Sequence, residues 1–215
     1  MTQKVTIKEK IYNGIFNDIT EGIYSPNDIL TESKLIEKYN VSKSPIREAL
    51  IELCKDNILN SLPRLGYQVV PVSMKEVLDI IEFRLDLEIS ALKRSFPNID
   101  DDSIEELTKA DKSSNSGKDQ GVVANWMSNQ LFHLELCKLC GNEYTYKTLQ
   151  EVLKQSSRYV AQYFNSAWDK SNESNGKYHL EIINTLKERD YESAIHMLAK
   201  DIMAVKEQIK QTYSF

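Results

Sequence analysis

The sequence predicts a mainly α fold in two parts. Helices closed by a small β-hairpin occupy residues 1–72, and an all-α antiparallel helical bundle occupies residues 73–215. Three observations predict this. Isoleucines recur at Ile7, Ile11, Ile15 and Ile19, the spacing of one helix face. In NILNSLPRLGYQVVPV, residues 57–72, two short apolar runs flank Pro63, Arg64, Leu65 and Gly66, as in a hairpin. From Ser73 onward only helical periodicity remains.

The isoleucine helix spans about 5–22 and is broken by YSPND. Thr31 is placed to cap a short second helix, ESKLIEKY, with Leu35 and Ile36 inward. Asn40 ends it, because asparagine tolerates the left-handed conformation of a tight turn. Ser42 is placed to cap a third helix running to about Asp56. Pro45 fits its first turn, where a missing N–H is harmless. In the second part the expected helices are 73–95, 101–112, 119–140, 143–168, 173–188 and 190–213, with breaks at SSNSG (113–117) and at Asn142.

Composition is ordinary for a globular protein, with 41% hydrophobic and 27% charged residues. No apolar run is long enough to span a bilayer. The stretch MTQKVTIKEKIYNGIF lacks the apolar core of a secretion signal, so the expected location is cytoplasmic, with no membrane partner. Three cysteines, Cys54, Cys137 and Cys140, argue against a disulfide framework. The last two form a C-x-x-C inside a helical run with no second pair, which reads as core thiols. The net charge is −5, yet residues 1–72 carry nine basic and nine acidic residues and are neutral. Bulk charge therefore announces no nucleic-acid partner, and any such case rests on local geometry.

That geometry is present. Two short helices joined by a tight turn and followed by a hairpin have the order of a winged helix-turn-helix, whose second helix enters the major groove N-terminus first. Ser42, Lys43, Ser44 and Arg47 lie in or just before its first turn, where side-chain donors and free helix N–H groups suit phosphate oxygens. Arg47 suits either a guanine edge or a phosphate. Ile46, Ala49, Leu50 and Leu53 face the opposite side. Arg64, beside Gly66 at the hairpin tip, suits the minor groove. A capped surface helix with a solvated polar end is the alternative.

The run LTESKLIEKYNVSKSPIREALIELCKDNILNSLPRLGYQVVPV resembles the DNA-binding domain of GntR-family bacterial transcription regulators. By that resemblance Lys43 and Arg47 are the main DNA-contacting residues and Arg64 and Gly66 belong to the wing. Thr31, Glu32, Ser42, Ser44 and Pro45 complete the expected DNA-binding set. The family usually has arginine at the position of Lys43, and glycine where Asn40 and Asn57 stand.

All three histidines lie in the second part. Asn129 and His133, four residues apart, share a helix face with Trp126, Leu136 and Cys140. If the last two helices pair about Arg189 and Asp190, His179 and Asp201 fall at one level of the bundle. Asn129, His133, His179 and Asp201 then converge, a set suited to zinc, nickel or manganese. Hydrogen-bonded core histidines without a metal are the alternative. His196 points elsewhere and reads as surface or interface. The segment from Ser73 onward resembles the FCD effector domain of the FadR subfamily of GntR regulators. By resemblance His133 and His179 match metal ligands, Asn129 replaces an aspartate and Asp201 replaces a histidine. Arg84 lies on an inward stripe with Val77, Ile81, Glu88 and Leu92. It suits an effector carboxylate or a pair with Glu88; the family's habit of binding organic acids favours the former.

The sequence therefore points to a DNA-binding transcription regulator, expected to be a repressor. It would bind a double-stranded DNA operator as a homodimer and respond to a small carboxylate effector beside a divalent metal ion. Two alternatives stand beside it. A metal-dependent hydrolase would need an open coordination site and a general base, and neither is evident. An interaction adaptor that no longer touches DNA is kept open by the neutral charge of residues 1–72.

Overall fold

The computed structural model describes residues 5–115, 122–164 and 178–213. The chain divides into two compact units, Met1–Val72 and Ser73–Phe215.

The first unit contains α1 (Ile7–Thr20), β1 (Ile29–Leu30), α2 (Glu32–Tyr39), α3 (Lys43–Lys55), β2 (Leu59–Leu62) and β3 (Gly66–Val69). Thr6 and Glu9 form a capping box that starts α1. Ile11, Ile15 and Ile19 are buried with Tyr12 and Phe16, but Ile7 is exposed. A four-residue spacing gains about 40° per step on a helix of 3.6 residues per turn, so a stripe of four drifts off the core face. On α3, Ile46, Ala49, Leu50 and Leu53 are all buried, and on α2 Leu35 is buried while Ile36 packs at the rim. Asn40 and Asn57 adopt left-handed φ values of 50° and 54°.

Two expectations are corrected. Thr31 and Ser42 hold the N-cap positions with extended backbone, but neither side chain makes a cap hydrogen bond. The Thr31 hydroxyl turns to Ser33 Oγ at 3.3 Å, and Ser42 is exposed. The hairpin is also one edge of a three-stranded sheet of order β1-β3-β2. β1 pairs antiparallel with β3, Ile29 opposite Gln68 and Leu30 opposite Tyr67. Two residues are too few to show an alternation, so this strand left no pattern to read. Its approach explains Gly66, which has φ 135° and whose added Cβ would lie 2.4 Å from the Leu30 carbonyl oxygen.

The second unit contains α4 (Met74–Ser95), α5 (Asp101–Asn115), α6 (Val122–Lys138), α7 (Glu143–Phe164), α8 (His179–Lys187) and α9 (Tyr191–Tyr213), with a short 3-10 turn, Phe96–Asn98, after α4. Side chains start four of these helices: Ser73 accepts from Glu76 N–H, Asp100 from Ser103 N–H, Asn142 from Tyr144 and Thr145 N–H, and Asp190 from Ser193 N–H. α5 continues through Ser113, Ser114 and Asn115, where the sequence predicts a break. Each of these residues costs only a fraction of a kcal/mol in a helix, too little to stop it. Expectations for residues 116–121, 165–168 and 173–177 lie outside the described residues. α4 packs against α6, α7 and α9, α5 against α6 and α8, and α8 against α9. Arg189, with φ 58°, turns the chain from α8 into α9. Among the described residues no helix is long and apolar enough to cross a membrane.

Candidate functional site

In the first unit a groove of about 570 Å³ runs between the start of α2, the outer face of α3 and the β2–β3 turn. Thr31, Glu32, Lys43, Arg47, Arg64 and Gly66 line it. Ser42, Ser44 and Pro45 sit at the first turn of α3, outside that lining. Ser44 Oγ donates to Glu48 at 2.9 Å. Lys43 and Arg47 are not free cations. Glu32 Oε2 meets Lys43 Nζ at 3.1 Å, and Glu32 Oε1 accepts from Arg47 Nε at 2.7 Å. The Arg47 hydrogen bond outweighs partial burial and, with Lys43, holds the Glu32 carboxyl below its ordinary pKa. Arg64 is exposed at the wing tip with φ 68° and has no ion-pair partner among the described residues.

In the second unit Asn129, His133, His179 and Asp201 come together from α6, α8 and α9, and all four are buried. His133 Nε2 lies 3.0 Å from Asp201 Oδ2, and His179 Nε2 lies 3.8 Å from the same oxygen. Asn129 Nδ2 lies 3.1 Å from His179 Nε2. One ligand atom from each of His133, His179 and Asp201 falls within 4.8 Å of the others. The far nitrogen of each imidazole meets a carboxylate: His133 Nδ1 meets Glu88 Oε2 at 2.6 Å, and His179 Nδ1 meets Asp111 Oδ1 at 3.1 Å. That arrangement fixes ring orientation and aims both Nε2 atoms inward, as in carboxylate–histidine–metal triads. Phe132 stacks on His179 with ring centroids 3.8 Å apart.

Three buried polar atoms around the pocket make no hydrogen bond of good geometry among the described residues: Asp201 Oδ1, Arg84 Nη2 and the Tyr159 hydroxyl, which lies close enough to Arg84 and Ser156 to feel both. Orphaned buried polar atoms are costly and mark places where a ligand, ion or water completes the structure. Arg84 pairs with Glu88 through Nε at 2.5 Å and stacks over Trp126, which leaves Nη2 to spare. The two readings of Arg84, pairing and ligand binding, are therefore compatible. Burial works against charge on His133, but Glu88 and then the Asp201 hydrogen bond hold its pKa above the ordinary histidine value. Burial likewise works against charge on Asp201 and Glu88. Around Asp201 the two histidines prevail, around Glu88 Arg84 and His133 do, and both carboxyls stay below their ordinary range.

Comparison with known proteins finds a family model for each unit. Residues 7–69 match the model of bacterial regulatory proteins of the gntR family, and residues 79–203 match the FCD domain model. The chain belongs to the GntR family, in the group that carries an FCD domain. It is 26% identical over 195 residues to the HTH-type transcriptional regulator YdhC of Bacillus subtilis, covering 88% of this chain and 85% of that one. It is also 26% identical over 153 residues to the HTH-type transcriptional repressor GlaR of Escherichia coli, covering 69% and 70% respectively. In fold it is similar to the solved structure of E. coli McbR/YncC, with a TM-score of 0.81 at 22% identity over 98% of this chain and 100% of that one. This GntR-family chain is thus a DNA-binding transcription regulator rather than an enzyme.

Sequence reasoning missed the pocket's orienting carboxylates and one wall. From sequence, Glu88 reads only as a partner for Arg84, although its place on the inward stripe is a signal. Asp111 and Tyr159 give no local signal, because their partners come from other helices. Of the two cysteines read as core thiols, Cys137 is buried and Cys140 is half-buried. Burial pushes the Cys137 thiol up to about 12, and no third metal-ligating side chain accompanies it among the described residues. His196 is exposed.

Proposed function

We propose that this regulator is a repressor that binds a pseudo-palindromic DNA operator as a homodimer in the cytoplasm and releases it when a small organic acid enters the second unit. The observation that carries the effector reading is the inward convergence of His133 Nε2, His179 Nε2 and Asp201 Oδ2, beside the spare donors of Arg84 and Tyr159. Asn129, His133, His179 and Asp201 would hold a divalent ion, and two imidazoles with oxygen donors suit zinc, nickel or manganese. Asp201 Oδ1, buried without a donor, fits a cation. Asn129 would turn its amide oxygen inward, a half-turn that leaves the packing unchanged. The ion supplies a Lewis-acid anchor for a carboxylate. Arg84 Nη2 and the Tyr159 hydroxyl orient that carboxylate by donating to it, and Trp126 and Phe132 keep the pocket dry. In the first unit Lys43, Arg47 and Arg64 face DNA, with Thr31, Ser42, Ser44, Pro45 and Gly66 shaping the contact surface. Relatives named as repressors, GlaR among them, support the sign of regulation.

The test is an anisotropy titration of a duplex that the wild type selects from random sequences, followed by addition of small mono- and dicarboxylates to zinc-loaded protein. At least one acid should weaken DNA binding tenfold or more, on the order of the usual coupling energy between sites. Arg84→Lys keeps the charge beside Glu88 but loses the fork. It should leave acid-free DNA binding unchanged and raise the acid concentration needed. If no acid in the panel moves DNA affinity, the effector reading is wrong.

A further inference from the structure

Glu32 is the one carboxylate in a groove that holds three cations, and it is bonded to two of them. We infer that Glu32 is a positioning residue that commits Arg47 to base edges and thereby sets the sequence selectivity of this regulator; the inference rests on the reading of the groove as a DNA interface. Each carboxylate oxygen has its own task, Oε1 taking Arg47 Nε and Oε2 taking Lys43 Nζ. The Glu32 side chain is 20% exposed and the two cations are each 57% exposed, so the carboxylate lies beneath them and they reach outward from it. Glu32 opens α2, Lys43 opens α3 and Arg47 lies one turn into α3, fifteen residues beyond Glu32, so the bond is a strut between two helices.

Donor arithmetic gives the strut its meaning. A guanidinium has five N–H donors in a rigid fork. Glu32 ties the Nε edge, and the terminal nitrogens remain for an acceptor pair such as the major-groove edge of guanine. An untied arginine near an exposed helix start turns readily to the nearest phosphate, which carries no sequence information. The carboxylate also repels phosphates that approach in a wrong register, a penalty on non-specific docking. Selectivity thus comes from an attractive fork and a repulsive charge held in one place.

The experiment compares wild type, Glu32→Gln and Arg47→Ala on two duplexes, the one selected by wild type and a scrambled version, across a range of salt. Folding is matched by circular dichroism. Glu32→Gln should lose on the order of tenfold in the selected-to-scrambled affinity ratio, the worth of roughly one bidentate base contact. The loss should concentrate at a G·C pair whose replacement harms wild type but not the variant. Affinity for the scrambled duplex should hold or rise. An unchanged ratio overturns the inference, as does an equal gain on both duplexes, which would make Glu32 a mere shield, or an equal loss on both, which would make it structural. If Arg47→Ala leaves binding to both duplexes intact, the DNA-interface reading itself fails, and this inference with it.

Discussion

His133 stands between two carboxylates, with Glu88 on one nitrogen and Asp201 on the other. Without metal, a proton on His133 satisfies both, which is why its pKa is raised and theirs are lowered. The consequences for pH have opposite signs. A raised histidine stabilises the fold below its unfolded pKa, and that contribution is lost as pH rises through the folded value. The lowered carboxyls stabilise above their unfolded values and lose that contribution as pH falls through the folded ones. A metal ion needs His133 neutral, so its affinity grows with pH. In chelator the melting temperature should therefore fall as pH rises through the His133 value, and with zinc it should rise over the same window. Parallel slopes in the two scans would count against metal at His133. Asp111 offers a milder probe because it meets the far nitrogen of His179 and is not among the expected ligands. Asp111→Asn should cost about ten- to a hundredfold in metal affinity with every ligand intact, read by competition with a zinc chelator.

At the scale of elements, the wing depends on a close approach that sequence could not display. Gly66 lets β3 pass close to Leu30 of β1, and a methyl there meets backbone. Gly66→Ala should destabilise the first unit by about 2–3 kcal/mol and weaken DNA binding. Metal binding in the second unit should persist, as read by denaturant unfolding with and without zinc. The recognition helix was legible because its signals are local: Ser42 and Pro45 at the start, four apolar residues at helical spacing, Asp56 at the end. The His179–Asp201 pairing was legible because both residues lie about equally far from the turn at Arg189. β1 was not legible, being two residues long, and Asp111 was not, because no turn or helix-face spacing in the sequence relates it to His179. The engagement of Lys43 and Arg47 by Glu32 was also invisible, since periodicity shows which face a residue occupies and not what it touches there.

At the scale of the whole molecule, the chain carries a net charge of −5, and its N-terminal 72 residues are neutral. Long-range attraction to DNA is therefore weak, and salt dependence should come from the few cations of the groove. Removing one cation that neutralises a phosphate should reduce the slope of log affinity against log salt by about 0.9. Lys43→Ala should show that change, with little effect on sequence preference. A metal present at a hundred times its dissociation constant stabilises the folded protein by about 2.7 kcal/mol, an effect large enough to be followed as a rise in melting temperature.

In the proposed regulation the histidine pocket is the centre, and metal stoichiometry tests that role most directly. Untagged, chelator-stripped protein is dialysed to equilibrium against zinc and its bound metal is measured by elemental analysis. One ion per chain is expected for wild type and none for His133→Ala or His179→Ala. A wild type that retains no zinc, or variants that retain a full equivalent, would contradict the assignment of Asn129, His133, His179 and Asp201.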